Sequence, residues 1–389
     1  MKKILSLLLT IIISVQLPVV VYANTNEDLV LPNSTKNVKM ISEKSLSVDK
    51  SYVEILKNKG VFDKYLDESS DEMKQYISSN SEEIFNQLIQ WDISPDCKVS
   101  DIEREAQEYL NKYFDGIKIG SNKFNDMVHK YIDNEDMGSR ALADKNHEFA
   151  SLYLYMCIYD AYVLDEEETL VQNYSLYDSK SDIKNLSLQD VVYDDSQENF
   201  VDTVVPQILN RYVQTLSTDS AWPKMNGSRI QSYAQTYAKS YNTNYIEMNS
   251  DCTNFASQAL FYGLLPMTYT SNDKKTNGYI ETTSRWFHFK TSASKYSIST
   301  SWIRVVELYD YLSPHYAVYE TSTASNMTPY LNKGFLLQGK PLIGKYKHSV
   351  IVTIKNGDVK YCAHSSNRKD QSIQTFYDGF SKYRVVQTY

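Results

Sequence analysis

Apolar residues recur at helical spacing over a long stretch in the first half of the chain. From about residue 51 to residue 131 the period is close to 3.6. Ile102, Ala106, Leu110 and Phe114 follow one another at intervals of four. Side chains four positions apart share one face of a helix, so this stretch predicts amphipathic helices that bury a common stripe.

The pattern changes after residue 147, where large apolar residues alternate with other types. Tyr153, Tyr155, Cys157 and Tyr159 occupy every second position, which is the period of a strand. We expect two more strands at 170–177 and 183–188. Helices followed by a strand meander predict a small α+β domain. The order of elements resembles cystatin-like or NTF2-like folds.

The N-terminus has the pattern of an export signal. Lys2 and Lys3 precede an apolar run, which ends in Val21-Tyr22-Ala23. A basic start, an apolar middle and small residues at the end predict a signal peptide over residues 1–23. A retained membrane anchor is the alternative, since about 20 apolar residues can span a bilayer. Cleavage after Ala23 predicts a secreted protein, extracellular or associated with the cell wall, with no transmembrane segment remaining.

Length and composition divide the rest of the chain. Residues 24–50 are polar without a period, which predicts a flexible segment. A length of 389 residues favours two domains. We expect a helical and then α+β domain over 51–210, a linker over 211–224 and a second domain over 225–389. The net charge of −8 argues against a nucleic-acid partner, because binding phosphates requires a basic surface.

The second domain contains a cysteine at the start of a predicted helix. Phe255, Ala256, Ala259 and Leu260 form the apolar stripe, and Asp251 is a good N-cap. Cys252 then lies in the first turn. The unpaired N–H groups and the positive end of the helix dipole favour a thiolate there. The same N–H groups could hold an oxyanion formed from an attacked carbonyl.

A histidine that could serve as the base follows almost a hundred residues later. His348 begins an apolar strand, Asn356-Gly357 marks a hairpin turn, and the returning strand runs from Val359 to His364. His348 could direct its ring at the thiol and accept its proton. An exposed residue at a strand edge is the alternative interpretation.

Several motifs in this region resemble one family of bacterial proteins. They are Asp251-Cys252-Thr253-Asn254-Phe255 with Ser257-Gln258-Ala259-Leu260, the step Ser232-Tyr233-Ala234, Trp286 and Trp302, His348-Ser349-Val350-Ile351-Val352, and Ala363-His364-Ser365-Ser366-Asn367-Arg368. Together, over residues 225–389, they resemble the putative amidase domain family. The resemblance implies a papain-like, NlpC-type α+β fold, in which a nucleophile helix packs on an antiparallel sheet.

The same resemblance implies a function. It indicates hydrolysis of amide bonds by cysteine chemistry, with peptide or peptidoglycan as substrate and with no metal or cofactor. A catalytically silent binding protein at the cell surface and a peptidase acting on a non-wall peptide are the alternatives. Cys362 stands where the family leads us to expect serine, so a Cys252–Cys362 disulfide that would silence the nucleophile is a further possibility.

The third member of the site depends on the length of the hairpin turn. A strict two-residue turn pairs Lys355 with Asp358 and directs His364 away from the face of His348. A three-residue turn or a bulge reverses this. Because the resemblance favours a histidine, we predict His364 as third member, with Asn367 as the alternative.

Substrate contacts can be predicted only broadly. We expect Trp286 to line a groove, with Asp251 and Asn254 contacting substrate beside the nucleophile. We interpret His288 and His315 as surface residues.

Overall fold

The computed structural model describes residues 38–40, 71–132, 147–164, 183–199, 222–290, 292 and 295–389. The signal peptide, the strand predicted at 170–177 and residues 211–221 of the predicted linker lie outside these residues. Of the segment predicted to be flexible, residues 38–40 are described, and they form the short strand β1 (Val38–Met40).

The described parts of residues 71–199 form a unit of helices, which we call the helical unit. Its α-helices are α1 (Asp71–Gln90), α2 (Val99–Tyr113), α3 (Asn122–Ile132), α4 (His147–Tyr159) and α5 (Leu188–Asn199). A π-helical turn, Asp160–Leu164, extends α4, and a 3₁₀ turn, Ile183–Asn185, precedes α5. Ile102, Ala106 and Leu110 on α2 are buried, which confirms the predicted stripe.

The strands predicted at Tyr153–Val163 and 183–188 are wrong. Every residue of α4 from Phe149 to Tyr159 is buried, so this helix is apolar on all sides. Tyrosines that alternate with other apolar residues fit such a helix as well as a strand, so the period alone does not distinguish the two. The described part of the helical unit therefore does not support a cystatin-like or NTF2-like fold.

Residues 222–389 form a mixed α and β unit, which we call the C-terminal unit. Its helices are α6 (Gly227–Tyr237), α7 (Cys252–Tyr262), α8 (Thr300–Ile303), α9 (Val305–Leu312), α10 (Ala324–Met327) and α11 (Ile373–Gly379). Its strands are β2 (Met267–Tyr269), β3 (Gly278–Ile280), β4 (His288–Lys290), β5 (Tyr296–Ser299), β6 (Ala317–Thr321), β7 (Leu336–Lys340), β8 (His348–Lys355), β9 (Asp358–Ala363), β10 (Arg368–Ser372) and β11 (Lys382–Gln387). Helix α7 begins directly after Asp251, as its sequence predicts.

An antiparallel sheet of six strands organises this unit. The strand order is β10-β9-β8-β7-β11-β6. A smaller sheet has the order β3-β5-β4, and β1 pairs in parallel with β2. The predicted helix-on-sheet α+β class is thus present. None of the helices in the described ranges is long and apolar enough to cross a membrane.

Two apolar clusters lie against the two faces of the large sheet. Phe255 and Leu260 of α7 pack with Ile351 and Cys362, and we call this side the α7 face. Phe376 and Phe380 pack with Val350, Val352 and Tyr361 on the side that we call the α11 face. Neighbouring residues of one strand point to opposite faces, so β8 contributes alternately to both clusters.

Candidate functional site

Cys252 is the first residue of α7, as its sequence predicts. Its side chain is buried, with 2% of the residue exposed. The Sγ atom lies 3.7 Å from Thr253 Oγ1 and 3.9 Å from the carbonyl oxygen of Lys347. The sulfur is therefore next to the residue that precedes β8.

Asp251 occupies the N-cap position but does not cap the helix with its side chain. Its Oδ1 atom accepts hydrogen bonds from the Met248 N–H at 3.1 Å and from Asn254 Nδ2 at 2.7 Å. The carboxylate that would usually bind the first-turn N–H groups is thus used elsewhere. Those N–H groups keep their partial positive charge at the end of α7 where Cys252 lies.

His364 contacts the second carboxylate oxygen of Asp251, Oδ2. Nδ1 lies 2.5 Å from Asp251 Oδ2, and Nε2 lies 2.8 Å from the Tyr237 carbonyl oxygen. A carbonyl only accepts, so Nε2 carries a hydrogen and donates it. The imidazole also stacks on Phe255 at 4.1 Å between ring centroids. His364 therefore fixes the residue just before the nucleophile, and both of its nitrogens are used in doing so.

The hairpin between β8 and β9 determines whether His348 and His364 share a face of the sheet. Lys355 pairs with Asp358, so the turn contains only Asn356 and Gly357. Both turn residues have positive φ, at 56° and 85°, as a tight hairpin of this type requires. The three-residue turn or bulge that would bring His364 onto the face of His348 is therefore not the form adopted.

With this register, His348 and His364 lie on opposite faces of the sheet. The pairing of Ile351 with Cys362, continued by two residues, places His364 across from Ser349. Ser349 Oγ accepts from Thr253 Oγ1 and from Gln338 Nε2, each at 3.1 Å, so it lies on the α7 face.

His348 lies on the α11 face. Its ring stacks on Phe380 with centroids 5.8 Å apart and lies 6.3 Å from Phe376. The expectation that His348 directs its side chain at α7 is wrong in this arrangement. Side chains alternate along a strand, so a difference of one residue exchanges the two faces. His364 consequently does not orient His348, and its partner is Asp251.

Asn367, the alternative third member, is also not at this site. It is exposed, with a φ of 52°, in the turn between β9 and β10. Its left-handed backbone fits a turn residue, since asparagine tolerates this region.

The predicted substrate-binding residues are interior ones. Trp286 is fully buried, stacks on Trp302 at 4.3 Å and donates from Nε1 to Ser257 Oγ at 3.2 Å. It is a core residue and does not line an open groove. Asn254 is buried too, accepting from Trp302 Nε1 at 3.0 Å and donating to the Ile246 carbonyl at 2.8 Å. Asp251 and Asn254 thus shape the start of α7 from within.

His288 is a buried residue, contrary to the expectation from sequence. Its Nε2 atom accepts from the Ile246 N–H at 3.4 Å, and its ring packs on Tyr245 and Trp302. Burial lowers the pKa of His288 to about 3, because the apolar surroundings disfavour the charged ring. His315 is exposed as predicted, and it stacks on Trp222 at 3.5 Å.

All four cysteines, Cys97, Cys157, Cys252 and Cys362, are free thiols. Cys362 lies in the sheet and accepts from the Asp370 N–H at 3.3 Å. Burial raises the pKa of its thiol to about 12, so it is a poor nucleophile at neutral pH. The described residues contain no group of three or more His, Cys, Asp and Glu side chains that could hold a metal ion.

The site thus consists of a cysteine at the start of a helix that packs on an antiparallel sheet, beside N–H groups that favour a thiolate. Residues 224–386 match the model of a protein family described as the putative amidase domain. The match confirms the resemblance and supports an amide hydrolase at that general level. No curated protein and no solved structure matches the chain.

Sequence reasoning missed the polar contacts beneath the nucleophile. Ser349 and Gln338 link α7 to the sheet, and the Tyr237 carbonyl holds His364. The alternation along β8 was a usable signal for Ser349, since it shares a face with Ile351. No local signal in the sequence indicates a main-chain carbonyl as the partner of His364.

Proposed function

We propose that the C-terminal unit is a cysteine-dependent amide hydrolase with Cys252 as nucleophile. The sulfur attacks the carbonyl carbon, and the first-turn N–H groups of α7 stabilise the resulting oxyanion. Collapse of this intermediate expels the amine and leaves a thioester, which water hydrolyses to release the acid and restore the thiol. The observation that carries the proposal is a cysteine at the first position of a helix whose N-cap side chain does not cap it.

In this proposal His348 accepts the thiol proton and returns it to the leaving amine. Its support is proximity along the chain, since the carbonyl of the preceding Lys347 contacts the sulfur. The ring stacks on Phe380 in the described arrangement. The start of β8 must therefore turn before the reaction, while His364 keeps Asp251 in place.

We further propose a peptide amide of the bacterial cell wall as substrate and a secreted or wall-associated location. Both rest on the export-type N-terminus and on the family resemblance. The test is incubation of the full chain with purified peptidoglycan, followed by identification of new amino and carboxyl ends in the soluble fragments. Release of such fragments is expected. Cleavage of soluble peptides alone would instead indicate a peptidase with a non-wall substrate.

The role of the sulfur has a matched control within the same unit. Cys252→Ala should abolish hydrolysis, whereas Cys362→Ala should keep it, because Cys362 is buried in the sheet and its raised pKa keeps it protonated. Hydrolysis by Cys252→Ala at the rate of the unaltered protein would refute the mechanism.

The role of the base is tested by two histidine variants. His348→Ala should lower kcat by about 10²-fold to 10⁴-fold, the usual contribution of general acid–base catalysis. His364→Ala should act mainly through stability. Full activity of His348→Ala combined with an inactive but folded His364→Ala would move the base to His364.

A catalytically silent binding protein is the second candidate. Two observations favour it: only 2% of Cys252 is exposed, and the His348 ring packs on the α11 face. A thiol-reactive probe separates the two functions. Rapid labelling of Cys252 at neutral pH supports the hydrolase, and labelling as slow as that of Cys362 supports the binding protein.

A further inference from the structure

The loop between β7 and β8, residues 341–347, belongs to both units of the molecule. We call it the bridging loop. Leu342 and Ile343 are 2% and 1% exposed and pack inside the apolar core of the helical unit. The loop leaves the sheet at β7, enters the other unit and returns at β8. Burial of these two aliphatic side chains fixes the loop to the helices.

A carboxylate on α5 binds both the residue before the loop and the middle of the loop. Asp195 Oδ1 accepts from the Gly344 N–H at 2.7 Å, and Oδ2 lies 3.1 Å from Lys340 Nζ. The side chains of Lys340 and Asp195 are 6% and 5% exposed. An ion pair with this burial is strongly coupled, since removing one partner leaves the other charge without compensation. Asp195 therefore fixes both the end of β7 and the middle of the loop.

Gly344 allows the backbone of the loop to approach the helical unit closely. Its φ is +99°, a region that residues with a Cβ atom rarely adopt. A Cβ atom placed there would lie 3.3 Å from the Cβ of Ala161. The backbone of the loop thus lies directly against the π-helical turn that follows α4.

The end of the loop is held beside the nucleophile. Lys347 Nζ lies 2.9 Å from Asp160 Oδ2, in the π-helical turn, and the Tyr346 ring lies 3.9 Å from the Arg384 guanidinium carbon. The Lys347 carbonyl oxygen is the one that contacts Cys252 Sγ at 3.9 Å. The side chain of Lys347 is therefore bound by the helical unit, while its backbone touches the sulfur.

We infer that Asp160 and Asp195 are positioning residues for Cys252, and that the helical unit forms part of the site by fixing the bridging loop. This inference rests on the proposed function for its catalytic meaning. Through the loop, the two carboxylates set where the Lys347 carbonyl and the start of β8 lie relative to the sulfur. The same contacts determine whether His348 can turn toward it.

The test compares full-length variants of these two residues with a matched control. Asp195→Ala removes the contacts to Gly344 and Lys340, Asp195→Asn keeps an acceptor for the Gly344 N–H, and Asp160→Ala removes the carboxylate beside Lys347 Nζ. The control is Glu105→Gln, because Glu105 is a partly buried carboxylate of the helical unit that binds His147 and Ser151, away from the loop. Two quantities are measured: kcat, and the pH profile of iodoacetamide labelling at Cys252, read by mass spectrometry of its peptide.

We expect the two alanine variants to lower kcat by about tenfold to a hundredfold, since a misplacement near 1 Å can cost about 10²-fold. They should also shift the pH midpoint of Cys252 labelling. Asp195→Asn should recover part of both losses, and Glu105→Gln should change neither. Alanine variants that keep the unaltered kcat and labelling profile would overturn the inference, even if they melt at lower temperature. If Cys252→Ala proves fully active, the proposed function fails, and the labelling profile alone decides whether the loop is positioned by these carboxylates.

Discussion

The two faces of the six-stranded sheet place their histidines in different surroundings, polar on one face and aromatic on the other. On the α7 face, His364 binds a carboxylate and a carbonyl, and Ser349 accepts two hydrogen bonds. On the α11 face, His348 lies among the rings of Phe376 and Phe380. Both histidines are almost fully buried, at 1% and 0% exposure. The difference shows that burial alone does not identify a functional imidazole, and that its partners must be specified as well.

The largest effect expected from this comparison is on stability. His364→Ala leaves the Asp251 carboxylate buried without its imidazole, which should cost about 3–5 kcal/mol. His348→Ala should cost less, because the ring that it removes packs among the aromatic rings of Phe376 and Phe380. Urea unfolding of both variants, followed by circular dichroism, measures the two values. Equal losses would mean that the two faces contribute alike.

An intermediate effect is expected from pH, through His288 on the α7 side of the unit. Its folded-state pKa of about 3 lies below the ordinary value of 6.5, so the unfolded chain binds a proton first as the pH falls. Stability should therefore decrease below pH 6.5, by about 2 kcal/mol at pH 5 from this residue.

The measurement for His288 is unfolding at pH 7 and pH 5. His288→Gln, which keeps an acceptor for the Ile246 N–H, should lose most of this pH dependence. His129→Gln serves as the control, because His129 is exposed on α3. An unchanged pH dependence in His288→Gln would show that other groups cause the acid sensitivity.

The smallest effect is expected at the turn that sets the two faces. Gly357 has a φ of +85°, and a Cβ atom added there would meet nothing within 4 Å. Gly357→Ala should therefore cost about 1 kcal/mol through backbone conformation alone. Activity per folded molecule should stay the same if the register is kept. A change in activity together with a small loss of stability would indicate that the register has shifted.

Much of the site follows from local sequence, and the rest depends on register and on distant contacts. The start of α7 at Cys252 and the hairpin at Asn356-Gly357 are local patterns, and both were predicted. Whether His348 and His364 share a face depends on one residue in the turn, so a longer turn would have placed them together. The helical unit was misread at α4, where a helix buried on all sides lacks the polar face that reveals its period.

The contacts of Asp195 and Asp160 lay beyond prediction for a different reason. They join residues nearly 150 and 190 positions apart, and neither carboxylate stands in a motif. Only the packing of Leu342 and Ile343 into the other unit brings them to the loop. Such pairs are set by tertiary structure and leave no periodic signal along the chain.

The length of the connection between β8 and β9 also bears on homologous chains. A homologue with one residue more in this connection could pair its two strands one step out of phase with those described here. Its two histidines would then lie on the same face of the sheet, although the letters of both motifs remained unchanged. Alignments that match motifs without counting the residues between them would equate imidazoles that lie in different environments.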